Sequence, residues 1–259
     1  MDSRRSALSR DRRTTPREQW ITKPSAIRYS PFANRKHMPT WNELFEQEEF
    51  RWKNPHEQVV ALVPLLRERS AQRVLDLGCG AGRHTVYLAR EGFDVCALDI
   101  AENGLAHTRE WLAREKLSAE LKQGDIAQIP YPNDFFDAVI SIYVIYHKTY
   151  AGMQGVVAEI RRVLKRGGLA VISLQSTRGW RYGQGKTIEP NTFILDVGAD
   201  AGVPHHYSDL VEIADLFKHF AIRKIEQEEQ FEEGKRHSHW QVLIEKEGKR
   251  SANSANERE

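Results

Sequence analysis

The sequence has little cysteine, almost no net charge and no long apolar run. Its two cysteines, Cys79 and Cys96, lack partners at metal-ligand spacing and lie in neighbouring parallel elements, so neither a zinc site nor a disulfide is predicted. The net charge of +2 gives no strong electrostatic signature of nucleic-acid binding. No apolar segment approaches the roughly 18 residues that span a bilayer, and no apolar secretory segment stands near the N-terminus. These features favour a cytoplasmic protein without a membrane partner and disfavour nucleic acid as a partner.

Both ends of the chain are polar. The first 30 residues hold eight Arg and Lys against three acids, with Ser, Thr and Pro among them. We predict a disordered basic arm over residues 1–35 and a disordered tail over residues 247–259. Two alternatives for the arm are an organellar import sequence and a docking element for an anionic partner.

Residues 74–82 are the most informative segment of the chain. Four residues typical of a buried strand precede three glycines at alternate positions, Gly78, Gly80 and Gly82, and an amphipathic stretch follows over residues 83–90. Glycines permit a sharp turn and a close approach of a ligand, and a helix N-terminus presents free N–H groups. The pattern predicts a strand, a ligand-binding turn and a helix. A plain glycine-rich turn is the alternative that this segment alone leaves open.

Acidic residues follow the next predicted strands. Asp99 ends the second strand 21 positions after Gly78, close to the spacing at which an acid meets ribose hydroxyls in a βαβ unit. Asp125 follows a short third strand over residues 119–123, and a fourth strand over residues 135–142 ends near the same edge. Because parallel strands end at one edge of a sheet, these groups are predicted to share one binding crevice.

The glycine spacing separates two kinds of cofactor. A dinucleotide-binding turn has the pattern G-x-G-x-x-G, whereas Arg83 stands here where its third glycine would fall. With its other motifs, the chain resembles the class I S-adenosylmethionine-dependent methyltransferases, and within them the small-molecule enzymes of the tellurite-resistance-like, type 11 group. The resemblance covers about residues 70–245, and the matching motifs are residues 76–82, 99–100, 124–126, 136–139 and 162–168.

The resemblance implies S-adenosylmethionine as the cofactor. Asp76 would orient its ammonium group, Asp99 would hold the ribose, and Asp125 would hold the adenine, against which Ile126 would pack. Gly78 and Gly80 would admit the methionine portion. The predicted cofactor-binding residues are Asp76, Gly78, Cys79, Gly80, Asp99, Ile100, Asp125, Ile126 and Ile142.

Alternating strands and helices predict an α/β fold. Helices are expected over residues 102–116 and 150–164, with the basic and glycine residues 165–168 ending the second, and a fifth strand over residues 169–174. A helix ending near Phe220 precedes two strand-like runs that only five residues separate, so the last strand must run antiparallel. We predict a Rossmann-like, doubly wound seven-stranded sheet, mostly parallel with a C-terminal antiparallel hairpin, in a methyltransferase domain over residues 70–246.

Residues 36–69 are predicted to form an N-terminal helical lid. Trp41, Leu44 and Phe45 share one face of a helix that continues toward Trp52, and Thr40 with Glu43 completes a capping box. In methyltransferases that the chain resembles, a helix at this place often covers the cofactor. A helix packed on the edge of the sheet is the alternative.

A long insertion separates the fifth strand from the last helix. Residues 175–207 are too many for an ordinary connection, and long loops at this edge of an α/β sheet usually bind ligands. We predict that the insertion determines the substrate; a structural flap and a contact within a homodimer are the alternatives. The predicted substrate-binding residues are Trp41, Arg181, Tyr182, His205, His206 and Tyr207.

The segment after the fourth strand contains Tyr143, Tyr146 and His147. We predict that these residues are catalytic, because in the family this segment faces the transferred methyl group. His147 could remove a proton from the nucleophile, or could only line the site. A metal bound by His147, His205 and His206 is disfavoured, because adjacent residues of an extended chain point in opposite directions. No metal is predicted.

These predictions combine into a methyltransferase that acts by direct displacement on a small molecule with an oxygen, nitrogen, sulfur or other chalcogen nucleophile. One alternative is an RNA or protein methyltransferase that docks through the basic arm. Another is a non-catalytic S-adenosylmethionine-binding protein. A nicotinamide-dependent dehydrogenase is disfavoured by Arg83.

Overall fold

A computed structural model describes residues 40–196 and 200–248 of the chain. The predicted basic arm over residues 1–35 lies outside the described residues, as do residues 249–259 of the predicted tail. The strands are β1 Arg73–Leu77, β2 Asp94–Asp99, β3 Glu120–Gln123, β4 Phe136–Ser141, β5 Leu164–Ser176, β6 Lys186–Glu189, β7 Thr192–Ile194, β8 Pro204–Ser208, β9 Ala221–Glu232 and β10 Lys235–Glu245. The α-helices are α1 Trp41–Leu44, α2 Glu57–Glu68, α3 Arg83–Arg90, α4 Glu102–Glu115, α5 Tyr150–Val163 and α6 Leu210–Leu216.

Seven strands form the main sheet, in the order β3-β2-β1-β4-β5-β10-β9. The first five strands of this order are parallel, and β10 runs antiparallel to both of its neighbours. The chain therefore moves outward from β1 in one direction and then in the other, as the sequence predicts. This order places the carboxyl ends of β1, β2 and β4 together at one edge.

The main sheet is covered by apolar side chains on both faces. Along β1, Val74 packs with α2 and α3, whereas Leu75 and Leu77 pack with α5 and α6. A strand buried on both faces reads as a continuous apolar run, which explains the sequence before the glycines. Polar groups are consequently displaced to the ends of the strands, where the candidate site lies.

The insertion is not the loop that we predicted, because it adds three strands to the sheet. Gln175 of β5 pairs with Tyr207 of β8 on one edge and with His239 of β10 on the other. β4 ends at Ser141, which pairs with Ile172 of β5. Beyond that point β8 pairs with the same edge of β5. β7 and β6 continue antiparallel from β8. The insertion is thereby fixed above the end of β4.

Two boundaries near α5 and β9 differ from prediction. Residues 165–168 do not end the helix: Leu164 already has extended backbone angles (φ −68, ψ 137) and pairs with Phe136. The next pair is Ala138 with Leu169, so the basic and glycine residues form a bulge within β5. At the C-terminal hairpin only two residues turn the chain, Glu233 and Gly234, both with positive φ, so β9 and β10 extend further than predicted.

The described part of the lid contains less helix than predicted. The capping box is confirmed, since the Thr40 N–H donates to Glu43 Oε2 at 2.6 Å and the Glu43 N–H to Thr40 Oγ1 at 3.3 Å. The helix nevertheless ends after one turn, and the Arg51 guanidinium binds the carbonyl oxygens of Phe45 and Glu46 instead. Within the described ranges, no helix is both long enough and apolar enough to cross a membrane.

Candidate functional site

A cavity of about 300 Å³ opens at the carboxyl edge of the main sheet. The lid, the glycine turn, the segment after β4, the insertion and the C-terminal hairpin all contribute to its wall. Fourteen of the predicted site residues line it: Trp41, Gly78, Cys79, Gly80, Asp99, Ile100, Asp125, Ile126, Ile142, Tyr143, Tyr146, His147, Arg181 and Tyr207. Four do not line it: Asp76, Tyr182, His205 and His206.

The glycine turn leaves no room for a side chain at Gly78 or Gly80. Gly78 and Gly80 have φ of +77 and +53, a region that residues with a Cβ rarely adopt. A Cβ on Gly78 would lie 2.5 Å from the side chain of Val144, and one on Gly80 would lie 2.7 Å from the ring of Phe45. The lid therefore packs directly on the turn, and its aromatic ring occupies the space above Gly80.

Asp99 links the turn to the end of β2. Its carboxylate accepts hydrogen bonds from the Gly80 N–H at 2.7 Å and the Ala101 N–H at 2.8 Å. Burial raises the pKa of Asp99, and the two backbone donors partly oppose that rise. The neighbouring Ile100 is half exposed at the mouth of the cavity. A carboxylate oxygen has two lone pairs, so Asp99 can still accept from a ligand hydroxyl.

Asp76 is not at the cavity wall. It is fully buried beneath the turn, and the Thr85 hydroxyl donates to its Oδ2 at 2.6 Å. Burial raises the pKa of Asp76 to about 7. Asp76 thereby fixes α3 to β1, and its expected role toward a ligand ammonium group, directly or through water, stays a prediction.

Asp125 lines the cavity with its carboxylate already engaged. The Ala127 N–H and the Lys148 ammonium bind its Oδ1 at 2.9 and 3.1 Å, and the backbone bond to Ala127 is the main cause of its lowered pKa. Ile126 and Ile142 supply apolar wall on either side. Lys148 was missed from the sequence because its partner lies 23 residues away.

Tyr143 is held in a strained conformation directly after β4. Its φ is +64, which is unusual for a bulky residue, and its N–H donates to Ser173 Oγ at 2.5 Å. The Tyr143 hydroxyl lies 3.1 Å from Nε2 of His56, which is also 3.3 Å from Glu228 Oε2. The phenol is thus positioned by groups from the lid and from β9.

His147 is an enclosed aromatic ring with one unused nitrogen. The ring lies 4.8 Å from Trp41 and 4.4 Å from Tyr146, and its Nδ1 is buried without a hydrogen-bond partner in the described part of the chain. Burial, followed by the charge of His205, holds the pKa of His147 well below its usual range. The imidazole is neutral at neutral pH and has a free position for hydrogen bonding.

The insertion brings an ion-paired histidine behind His147. Nε2 of His205 lies 2.8 Å from Asp200 Oδ2, and its Nδ1 lies 3.0 Å from the Val203 carbonyl oxygen. Both partners can only accept, so each ring nitrogen of His205 faces an acceptor. Burial alone would raise the pKa of Asp200. His205, and then Arg181 at 3.3 Å, instead hold that pKa far below its usual range. His205 acts on the cavity through His147, with ring centroids 4.6 Å apart.

The other predicted residues of the insertion are separated by strand alternation. His206 points to the opposite face of β8, where its Nδ1 lies 2.7 Å from Thr192 Oγ1. The predicted contact of His206 with substrate is therefore wrong for this arrangement. Tyr182 also lies outside the cavity wall, and its hydroxyl donates to Asn191 Oδ1 at 2.7 Å. Its ring packs against Tyr207, which does line the cavity.

Several lining residues were not predicted. Arg83 stands at the start of α3 with its guanidinium 4.6 Å from the ring centre of Trp52. No carboxylate forms an ion pair with it among the residues that the structure describes, and burial lowers its pKa to about 10, so it stays charged. Its position directly after the glycines was the signal that could have found it. The C-terminal hairpin adds Arg236, His237, Ser238 and His239.

His84 predicts a pH dependence of stability. It is buried, and its Nε2 accepts the His56 N–H at 3.2 Å, so the folded protein binds no proton there until the pH is well below 6.5. The unfolded chain binds that proton near its ordinary pKa. The free energy of unfolding should therefore fall by about 1.4 kcal/mol per pH unit as the pH drops below about 6.5, from this group alone.

Urea unfolding between about pH 5 and about pH 7 measures this slope. His84→Gln keeps an oxygen acceptor for the His56 N–H and should give a shallower pH dependence than the wild type. His219→Gln, at an exposed position, should keep the wild-type slope. Equal slopes for His84→Gln and the wild type would show that His84 is protonated in the folded protein.

Within residues 40–196 and 200–248, no group of three or more His, Cys, Asp or Glu side chains has the geometry to hold a metal ion. The site is therefore described by its organic functional groups: three carboxylates, four imidazoles, phenols and guanidinium groups around a glycine turn. A turn of this kind with an acid on the next strand suits a nucleoside with a charged tail.

Comparisons with known proteins agree with this geometry. A family model described as a methyltransferase domain matches residues 74–168. A sterol 24-C-methyltransferase of Gibberella zeae is 32% identical over 137 residues, which are 50% of this chain and 36% of that protein. An uncharacterized methyltransferase of Synechocystis is 33% identical over 112 residues, covering 43% of this chain and 51% of that protein. The chain thus spans about half or less of the length of these curated relatives.

The fold has solved counterparts. A SAM-dependent methyltransferase of Methanosarcina mazei superimposes with a TM-score of 0.61 and 18% identity, covering 71% of this chain and 97% of that chain. An identity this low supports the fold alone. The Rossmann-like, mostly parallel sheet and the antiparallel C-terminal hairpin predicted from the sequence are confirmed by this match and by the strand pairing.

Proposed function

We propose that the chain is a class I S-adenosylmethionine-dependent methyltransferase, which moves a methyl group from this cofactor to a nucleophilic atom of a small molecule by direct displacement. The observation that carries the proposal is one cavity, whose wall includes the glycine turn, Asp99 and His147. A cofactor site and a proton acceptor are thereby within reach of one bound pair of reactants.

The residues present suit the cofactor. Gly78 and Gly80 line the cavity without side chains, and Asp99 offers lone pairs to a ribose diol. Arg83, without a carboxylate partner in the described residues, would bind the carboxylate of the methionine portion. Asp125 and Ile126 would hold the adenine by a hydrogen bond and by apolar contact. When bound, the cofactor supplies a methyl group on a positively charged sulfur, which is open to displacement.

The protein's own part in the reaction is positioning and proton removal. The aromatic rings of Trp41, Tyr143 and Tyr146 exclude water and align the acceptor, and can attract the sulfonium charge. As the acceptor's lone pair would form its bond to the methyl carbon, the methyl–sulfur bond would break with its electrons left on the sulfur of S-adenosylhomocysteine, and the acceptor's proton would pass to His147. Burial, and then the neighbouring His205, hold the pKa of His147 well below its usual range, so that imidazole is unprotonated beforehand.

A small-molecule acceptor is supported by the enclosure of the cavity. The lid and the insertion both cover it, and a volume of about 300 Å³ is at the lower end for ligand sites. The relative named sterol 24-C-methyltransferase also carries the name of a small acceptor. Calorimetric titration tests the proposal: S-adenosylmethionine and S-adenosylhomocysteine should bind, and NAD should not. Binding of NAD alone would contradict it.

The contribution of Asp99 can be measured separately. Asp99→Ala should weaken S-adenosylhomocysteine binding by about tenfold or more, because the diol loses a charged acceptor. Asp94→Ala is the matched control, since Asp94 starts the same strand and pairs with Arg73 at the surface. Equal cofactor affinity in the two variants would contradict the role given to Asp99.

A further inference from the structure

A row of side chains crosses the end of the sheet on the face that bounds the cavity. Glu228 of β9 pairs with His239 of β10, and His239 pairs with Gln175 of β5. Gln175 in turn pairs with Tyr207 of β8. Residues paired across neighbouring strands point to the same face of a sheet. The ring of His239 lies 4.8 Å from that of Tyr143 in the cavity wall, so the row is on the cavity side.

Gln175 and His239 are open to the cavity. Each is partly exposed, although the residues before and after it in its strand are buried. Both edges of each strand are paired there, because β5 lies between β8 and β10 at Gln175, and β10 lies between β5 and β9 at His239. The exposed surface of the two side chains is therefore the surface that lines the cavity.

The pair presents uncharged hydrogen-bonding groups. In the part of the chain that the structure describes, neither side chain forms a hydrogen bond or an ion pair. Burial lowers the pKa of His239 to about 4, against the opposing charge of Glu228, so the imidazole is neutral at neutral pH. A carboxamide offers an NH₂ donor and a carbonyl acceptor, and a neutral imidazole offers one N–H donor and one acceptor nitrogen. Donors and acceptors of both kinds thus face one place.

The row itself carries a negative charge beside the pair. A hydrogen bond with His56, at 3.3 Å, is the main cause that lowers the pKa of Glu228 to about 2. Glu228 is therefore a carboxylate at neutral pH, directly across from His239. An anionic ligand group at His239 would be repelled by it.

The cations of the cavity wall are engaged elsewhere. Among the described residues, the cationic side chains that line the wall are Arg83, Lys148, Arg181 and Arg236. Carboxylates hold Lys148 and Arg181, at 3.1 and 3.3 Å, and Arg83 is the proposed partner of the cofactor carboxylate. Arg236 belongs to the alternate set of side chains along β10, which points away from the row. An anion bound by Gln175 and His239 would therefore lack a cationic partner, which is costly in an enclosed site.

We propose that Gln175 and His239 recognise an uncharged amide-type group of the methyl acceptor, one that donates and accepts hydrogen bonds side by side. The inference rests on the proposed function, because it assigns the acceptor part of the same cavity. The rings of Tyr143 and Tyr207, next to the pair, favour a flat acceptor. An acid of the same shape would bring a second negative charge next to Glu228, so the site discriminates by charge as well as by fit.

The test uses the full chain and matched pairs of amides and acids: benzamide and benzoate, phenylacetamide and phenylacetate, indole-3-acetamide and indole-3-acetate. S-adenosylhomocysteine binding is measured first, which tests the proposed function alone. Each pair is then titrated into the S-adenosylhomocysteine-saturated protein at neutral pH, where the acids are ionised. At least one amide should bind about tenfold or more tightly than its acid, because the anion would be buried without a cationic partner.

Variants assign that preference to the pair. Gln175→Leu and His239→Phe should each lower the affinity for the amide by about threefold to tenfold, the effect of one lost hydrogen bond. Glu228→Gln should raise the affinity for the acid, because it removes the charge beside His239 and keeps a hydrogen-bonding group there. Thermal unfolding curves show that each variant is folded at the temperature of the titration.

Gln227→Leu is the matched control. Its carboxamide is on the other face of the same sheet, 2.9 Å from Ser176 Oγ, and lies outside the cavity wall. This variant should keep the wild-type preference for the amide. The proposal is overturned if no amide is preferred over its acid, if Gln175→Leu or His239→Phe leaves the preference unchanged, or if Glu228→Gln leaves the affinity for the acid unchanged.

Discussion

Replacing Gly80 with valine should reduce the affinity for S-adenosylhomocysteine by roughly a hundredfold or more. Gly80 has a φ of +53, where a β-branched residue is a severe outlier, and a Cβ would lie 2.7 Å from the ring of Phe45. The new side chain fills the surface that the cofactor must approach closely. The variant should also unfold at lower temperature, because the strain is present in the folded protein with or without ligand.

Calorimetry measures the affinity, and a thermal unfolding curve shows that the variant is folded at the temperature of the titration. Gly92→Ala separates strain from blockage: Gly92 has a φ of +87, but nothing lies within 4 Å of a Cβ added there. That variant should lose some stability and keep its cofactor affinity. Wild-type affinity in folded Gly80→Val would mean that the cofactor does not bind at this turn.

Replacing His147 with phenylalanine should lower kcat by about 10²- to 10⁴-fold, the usual contribution of a positioned acid or base. The ring and its contacts with Trp41 and His205 are retained, so only the nitrogens are lost. KM should change little, because packing around the acceptor is preserved. The measurement is the rate of S-adenosylhomocysteine formation with an acceptor that supports turnover.

His206→Gln is the matched control for this prediction. Like His205, His206 is a buried residue of the insertion, but it contacts Thr192 on the opposite face of β8. Its replacement should affect stability more than kcat. If His147→Phe keeps at least half of the wild-type kcat, the proton leaves by another route and the ring of His147 serves only to shape the cavity.

The cofactor half of the site was predictable because its signals are local. Gly78 and Gly80 stand next to each other in a turn, and Asp99 follows its strand at a fixed distance from them. Parallel strand ends converge by topology, so no side-chain packing had to be known. The position of the Asp76 side chain was not predictable, because a residue near a strand end can point into the cavity or beneath the turn. The hydrogen bond from Thr85 holds it beneath the turn.

The acceptor half depends on register, which the sequence does not specify. His239 lines the cavity because β10 pairs antiparallel with β5, with His239 opposite Gln175. A shift by one residue would point the other set of side chains inward. Similarly, strand alternation shows that His205 and His206 face opposite ways, but the pairing of β8 with β7 and β5 determines which one approaches His147.

The attachment of the lid bears on the order in which reactants meet. Phe45 covers Gly80, and Asn42 is held by the Asn103 N–H at 2.8 Å, on the helix that begins just after Asp99. For the proposed nucleoside to reach Gly80 and Asp99, this single helical turn would first have to move aside. Catalysis by this chain should accordingly follow a compulsory sequence: methyl donor first, acceptor second, and the spent donor released last.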